Sequence, residues 1–317
     1  MFFSKCIFEI VLHLKLSSKQ LMGEDVVMKI LVTGASGLLG ADVSYLLEQN
    51  GERVFKCSLK ERPGFINCNF INDEDAFEKL FRLEWDYLIH CAGWRDPDSC
   101  ESERALAFKM NVEVTEKLAK LSKRKKSGML FISTDYVFSG ECSPYSENDE
   151  RSPVNYYGET KKEAEDRVLA LSSANTILRI PTLYGVRAGI DASPLLKSSI
   201  NAVHSTKEIK IDNIIERYPT FTGDVASAIY KLVTSSLGGV YHFSADEMLT
   251  KYGFAKIVAE VLNKSSEHLI PENKIADTLA KRPGNTRLLM SKYDKFKMGK
   301  SEPLKSRLKM ILKYNVA

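Results

Sequence analysis

The stretch "KILVTGASGLLGADVSYLLEQNG", residues 29–51, joins a short apolar run, three glycines at three-residue intervals and an amphipathic segment closed by Gly51. Ile30 to Val32 read as a buried strand, and the apolar residues after Ala41 recur at helical spacing, with Gly51 suited to the helix C-terminus. Gly34, Gly37 and Gly40 between them allow a tight turn, close approach of a pyrophosphate to backbone N–H groups and close packing of helix on strand. Their spacing is G-x-x-G-x-x-G, not the G-x-G-x-x-G of the standard dinucleotide fingerprint. The strand–turn–helix context therefore carries the reading of a dinucleotide site, against the alternative of a purely structural turn. Roughly 20 residues beyond such a turn, a carboxylate normally holds the ribose 2′-hydroxyl of NAD. Here "CSLKER" places Lys60 and Arg62 around a single Glu61. Cations there suit a 2′-phosphate and favour NADP over NAD; the alternative is that they are solvated loop charges.

Working outward, "RVFKCS" (53–58), "GFINCNF" (64–70), "DYLIHCAG" (86–93), "MLFIST" (129–134) and "NTILRI" (175–180) read as further strands separated by helical segments. Short apolar strands alternating with helices imply a parallel sheet covered on both faces, a doubly wound α/β (Rossmann) fold. Beyond Pro181 the pattern is less regular: "GDVASAIYKLVTSS", "KYGFAKIVAEVLNK" and "PLKSRLKMILKY" read as helices and "GVYHFS" as a strand. The expected organisation is an extension over 1–27, a dinucleotide-binding domain over 28–180, and a smaller C-terminal lobe over 181–317 interleaved with late elements of the sheet.

Composition narrows the function classes. With 317 residues, 44% hydrophobic and 27% charged, the chain can bury a substantial core. Lys and Arg number 45 against 41 Asp and Glu, too small an excess to argue for nucleic acid. The basic run "KRKK" (123–126) closes an apparent helix, "ERALAFKMNVEVTEKLAKLSKRKK", where cations are favoured. The six cysteines show no C-x-x-C and no spaced histidines, which argues against structural zinc or a disulfide framework and for a reducing, cytoplasmic compartment. "MFFSKCIFEIVLHLKL" is interrupted by Glu9, His13 and Lys15, poor for a signal-peptide core and too short for a membrane span. Residues 1–27 read as an extension, a weak targeting segment or an upstream start. His90 and His242 lie in apolar runs and read as satisfied buried histidines.

In "NYYGETKKEAED" (155–166), residues four apart share a helix face, and Tyr157 with Lys161 is the Tyr/Lys pair at that spacing. Asn155 suits the N-cap, and Glu163, Glu165 and Asp166 continue the helix as a charged, exposed face. A phenol of pKa about 10 needs a neighbouring cation to act near neutral pH, and Lys161 is placed to be one. Taken alone the stretch reads as a solvated helix start, because Tyr and Lys are common.

Together these residues resemble the extended short-chain dehydrogenase/reductase family. The resemblance rests on the glycine turn, "HCAG" after the fourth strand, "MNV" with Asn111, "ISTDYVFSG" after the fifth strand, and Tyr157-x-x-x-Lys161. It implies Tyr157 as proton donor or acceptor, Lys161 lowering its pKa and binding the nicotinamide ribose, Thr134 (or, second, Ser133) polarising a carbonyl, and Asn111 in support. It also implies NADP held by Gly34, Ser36, Gly37, Leu38, Gly40, Lys60, Arg62, Ala92, Tyr157 and Lys161. The chemistry is coherent: hydride transfer to a carbonyl builds charge on oxygen, which needs a hydroxyl to orient it and an acid to protonate it.

Within that family, "STDYVFSG", "PYSENDERSPVNYYGETKKEAE" and "KRPGNTRL" look like the dTDP-4-dehydrorhamnose reductase branch. "LRIPTLYG", "ERYPTFTGDVA" and "VYHFSADEMLTKYGFAKIVAEVLN" are similar to the regulatory beta subunits of methionine adenosyltransferase that descend from it. Two departures stand out. Pro181, Thr182 and Leu183 replace a segment where bacterial reductases carry an aromatic residue, and the chain stops at "MILKYNVA", without most of the tail that the regulatory subunits insert into their partner. The resemblance implies an NADP-binding regulatory subunit that associates with the methionine adenosyltransferase catalytic subunit and modulates S-adenosylmethionine synthesis. Its alternative is an NADPH-dependent reductase of a nucleotide-linked 4-keto sugar. Arg95 and Asp96, or Arg217 and Asp224, would lie toward the substrate; as the bland alternative, each Asp starts a helix.

Overall fold

In the computed structural model, which describes residues 27–73, 75–186, 192–274, 277–295 and 299–313, the first apolar run becomes strand β1 (Lys29–Thr33). Ile30 and Val32 point to one side of it and Leu31 to the other, all fully buried, as a strand covered on both faces requires. Helix α1 (Leu38–Gln49) follows and stops at Gly51, whose φ of +89° lets its N–H turn back to Glu48 O. There follow β2 (Arg53–Ser58), β3 (Ile66–Asn67), α2 (Ala76–Arg82), β4 (Tyr87–His90), α3 (Pro97–Ser102) and α4 (Arg104–Phe108). A π-helical turn over Lys109–Glu113 leads into α5 (Val114–Arg124), then β5 (Gly128–Thr134), a 3-10 turn over Asp135–Val137, α6 (Tyr156–Leu171) and β6 (Thr176–Ile180).

The C-terminal part contains β7 (Leu183–Tyr184), α7 (Pro194–Val203), β8 (Ile209–Asp212), β9 (Thr220–Phe221), α8 (Thr222–Thr234) and β10 (Gly239–His242). It ends with α9 (Lys251–Val261), β11 (Leu269–Glu272), α10 (Ser291–Lys295) and α11 (Leu304–Lys313). The main sheet has seven strands in the order β10-β6-β5-β4-β1-β2-β3, every pair parallel, the doubly wound arrangement expected. The late elements α8 and β10 return to it, α8 against α1 and β10 beside β6. A separate core of Tyr184, Leu196, Phe254, Val258 and Leu308 joins α7, α9 and α11 with the small β7–β9 and β8–β11 pairs.

Three expectations change. The strand read over 64–70 shrinks to Ile66–Asn67, because at the sheet edge it pairs only with Cys57 and Ser58 at the end of β2. The single helix read over 103–126 is interrupted by the π turn, which brings Asn111 to the buried side. Glu165 is fully buried, not exposed, because it stands eight residues from Tyr157 on the helix face that packs on the sheet. The basic run ends α5 and packs on α2, with Arg124 over the Phe81 ring at 4.3 Å and Lys125 donating to Phe81 O at 3.0 Å. Cys57, Cys68, Cys91, Cys100 and Cys142 are free thiols, and among the described residues no acidic, His or Cys cluster could hold a metal. No helix among them is long and apolar enough to cross a membrane. The readings made for residues 1–26 and for the last four residues, 314–317, lie outside the described residues.

Candidate functional site

The glycine turn sits at the carboxyl end of β1, where the sheet order reverses between β1 and β4, the position at which open α/β sheets bind ligands. Gly34 has φ +67°, and a Cβ on it would lie 2.7 Å from Ala92 N. A Cβ on Gly40 would lie 2.3 Å from Gly34 O, so strand, turn and helix close up only with hydrogen at both positions. Helix α1 starts at Gly37 without a side-chain cap, which leaves its first N–H groups to an anion, with Ser36 and Leu38 on either side. These residues fit a dinucleotide: the glycines at 34 and 40 let strand, turn and helix close up, and the uncapped start of α1 presents backbone N–H groups suited to a pyrophosphate. Lys60 and Arg62 stand exposed on the loop after β2, on either side of Glu61.

Asn155 caps α6 by accepting from Gly158 N at 2.9 Å. A Cβ on Gly158 would stand 2.2 Å from Tyr136 O, so glycine lets the first turn of α6 close onto the turn after β5. That closure brings the Tyr157 phenol to the Thr134 hydroxyl, with Tyr136 edge-on to it at 5.8 Å between ring centres. Burial pushes the phenol above its ordinary range; the Thr134 hydrogen bond opposes this, and the nearby Asp135 adds to it. Tyr157 is therefore a protonated acid at neutral pH. Lys161 is buried, donates to Ile132 O at 2.6 Å and lies 3.8 Å over the Phe131 ring. Burial lowers its pKa to about 7, with Glu165 the chief opposing charge. Its ammonium is thus held by β5; the Thr134 contact opposes the rise of the Tyr157 phenol, while the Thr134 hydroxyl proton goes to Asp135 Oδ1 at 3.1 Å.

Ser133 and Thr134, adjacent on β5, face opposite ways. Ser133 donates to Glu165, whose carboxylate also takes Arg179 Nη2 at 2.7 Å and Arg151 Nη1 at 3.0 Å. Asn111 clamps the segment after β4, accepting from Trp94 N at 2.7 Å and donating to Trp94 O at 2.9 Å, and it reaches Thr160 on α6 at 3.0 Å. Arg217 adjoins the site: its guanidinium lies 5.5 Å from the Tyr136 ring centre and donates to Gly284 O at 2.7 Å and Pro283 O at 3.0 Å. Asp135 is buried beside it, its carboxyl raised by burial and held back by Arg217 and Thr286.

Asp224 is elsewhere, in the first turn of α8, paired with Arg307 and accepting from Ser301 at 2.8 Å. Arg95 is exposed, and Asp96 caps α3 through Ser99 N at 2.8 Å. His242 accepts from Arg179 and bonds Leu289 O at 3.0 Å. Two groups escaped the sequence reading. The Glu165–Arg179–Arg151 cluster was signalled only by an acid continuing the Tyr157, Lys161 row at the same spacing. The strap from Asp98 through Arg282 (2.7 Å) to Thr286 on Asp135, which lays residues 280–290 across the site, had no local signal.

The family profile described as RmlD substrate binding domain matches residues 28–316. Methionine adenosyltransferase 2 subunit beta of Mus musculus is 33% identical over 310 residues, 95% of this chain and 93% of that one. A dTDP-4-dehydrorhamnose reductase structure from Clostridium acetobutylicum superimposes with a TM-score of 0.81 at 28% identity, over 92% of this chain and 100% of that chain. The reductase of Bacillus anthracis, solved with NADP, shares the fold at a TM-score of 0.81 and 24% identity, over 90% and 99% of the two chains. With the glycine turn, the Tyr157 helix and the C-terminal lobe all inside the matched residues, the chain belongs to the RmlD substrate binding domain family.

Proposed function

We propose that this protein is an NADP-binding regulatory subunit that associates with a methionine adenosyltransferase and modulates S-adenosylmethionine synthesis. The observation that carries the reading is the 33% identity to a methionine adenosyltransferase beta subunit, sustained over 95% of the chain and so including the C-terminal lobe. In this reading the backbone of Gly34, Ser36, Gly37, Leu38 and Gly40 takes the pyrophosphate. Lys60 and Arg62 select the 2′-phosphate of NADP over NAD, Ala92 borders the cofactor, and Tyr157 and Lys161 hold the nicotinamide ribose. The free thiols accord with a cytoplasmic setting.

A second reading rests on a specific contact. Thr134 beside a protonated Tyr157, with Asn111 buried nearby, is what reduction of a nucleotide-linked 4-keto sugar needs. A bound NADPH would supply the hydride. Thr134 would orient the carbonyl by turning its hydroxyl proton from Asp135 Oδ1, 3.1 Å away, to the substrate oxygen, and Tyr157 would give its proton to the forming alkoxide; Ser133 lies on the other face of β5, bonded to Glu165.

One paired experiment separates them: titrate the protein with NADPH and NADH, assay NADPH oxidation with a dTDP-4-keto-6-deoxy sugar, and test co-purification with a methionine adenosyltransferase. The expected result is tighter NADPH than NADH binding, stable co-purification and no turnover, with Tyr157→Phe retaining the partner. Rapid turnover abolished by Tyr157→Phe, without co-purification, would establish the reductase instead.

A further inference from the structure

Between the glycine turn and Asn111 runs a line of buried hydrogen bonds whose direction can be worked out. The Thr115 hydroxyl lies 2.7 Å from Asn111 O, and a carbonyl only accepts, so the hydroxyl spends its single proton there. His90 Nε2, 3.0 Å from Thr115 Oγ1, must then donate to that hydroxyl oxygen. His90 Nδ1 is left as an acceptor and takes the Thr33 hydroxyl proton at 2.6 Å, while the Thr33 oxygen faces Ala92 N–H at 3.5 Å. Thr33 and His90 are 0% exposed and Thr115 and Asn111 1%, so water cannot replace a broken link.

The line closes on itself. Asn111, at its far end, grips Trp94 N and O, so the segment Ala92–Trp94 is held at both ends. That segment begins at Ala92, against which Gly34 packs so closely that a Cβ there would lie 2.7 Å from Ala92 N. The π turn contributes as well, because it is the element that carries Asn111 to Trp94.

We infer that His90 is a positioning residue: held as its Nε2–H tautomer, it locks the Ala92–Trp94 segment against the glycine turn and so sets the affinity for a dinucleotide it does not touch. The inference rests on the cofactor reading above, and its test is built to fail separately from it. In the full-length protein, long-range 1H–15N correlation of labelled histidine is expected to show His90 as the Nε2–H tautomer at pH 7. Thr115→Val, at the end of the line remote from the turn, is expected to weaken NADPH binding about tenfold, the loss of one buried hydrogen-bond link. Thr115→Ser, which keeps the hydroxyl, should bind as the wild type does. Thr33→Val with Thr115→Val should weaken binding by less than the product of the two single effects, because both cut the same line.

An Nδ1–H tautomer, or NADPH affinity in Thr115→Val equal to wild type, overturns the inference. So do multiplicative effects in the double variant. Should the wild type bind no NADPH, the cofactor reading falls, and amide exchange decides the inference. Faster exchange at Ala92 and Trp94 in Thr115→Val then supports the lock, and unchanged exchange refutes it.

Discussion

Lys161 is destabilising in the cofactor-free protein, and the sign of its effect can be followed with pH. Its pKa falls from the ordinary lysine value to about 7 because burial strips water from the ammonium. Between pH 7 and about 10.4 the unfolded chain binds a proton here that the folded protein does not, so stability rises with pH through that window. Below pH 7 the penalty is complete. Lys161→Met is therefore expected to raise the unfolding free energy at pH 7 by about 1–3 kcal/mol, with a smaller gain at pH 10, while weakening NADPH binding. Urea denaturation at the two pH values checks this; an equal difference at both would show that charge is not the cause. Tyr157 and Lys161 were legible as a pair from spacing alone. The choice between Thr134 and Ser133 was not, because adjacent hydroxyls differ only in the face of β5 they occupy, and what stands on each face is set by α6 and β6.

Helix α6 carries Tyr157, Lys161 and Glu165 in one row, and the last of these fastens the helix to the sheet. Glu165 is 0% exposed and holds two guanidiniums, Arg179 of β6 at 3% exposure and Arg151 at 19%. Glu165→Gln would leave both cations without their shared counter-charge, and the expected loss is about 3–5 kcal/mol in chemical denaturation. Adding Arg179→Met should recover part of it; a Glu165→Gln protein within 1 kcal/mol of wild type would contradict this account. The helix itself was readable from Asn155 as its N-cap and from the four-residue spacing of Tyr157 and Lys161. The burial of Glu165 was not, since its partners lie in a loop before the helix and a strand after it. The π turn was equally hidden: apolar periodicity over 103–126 marks a helix, and one wider turn within it changes which side chain points inward without changing composition.

For the whole molecule, the C-terminal lobe is fastened by Asp224, which takes Arg307 and Ser301 and accepts from Glu302 N at 3.3 Å. Asp224→Asn is expected to speed amide hydrogen exchange across α11 at least tenfold, about the effect of weakening one buried ion pair, while amides of β1 and β5 keep their protection. Uniform acceleration everywhere would mean that Asp224 supports the entire fold and not this lobe. The sequence by itself determined the doubly wound sheet, the turn at Gly34 to Gly40 and the Tyr157–Lys161 row, because each rests on a local pattern: short apolar runs alternating with helical segments, four-residue spacing in the helix and three between the glycines. Only the tertiary structure decided that β10 lies beside β6, that residues 280–290 cross the site, that Asp224 belongs to the lobe and Arg217 to the cleft, and that His90 joins Thr33 to Thr115. Those contacts join residues 25 to 184 positions apart, and no local pattern specifies which distant polar group a buried side chain will meet.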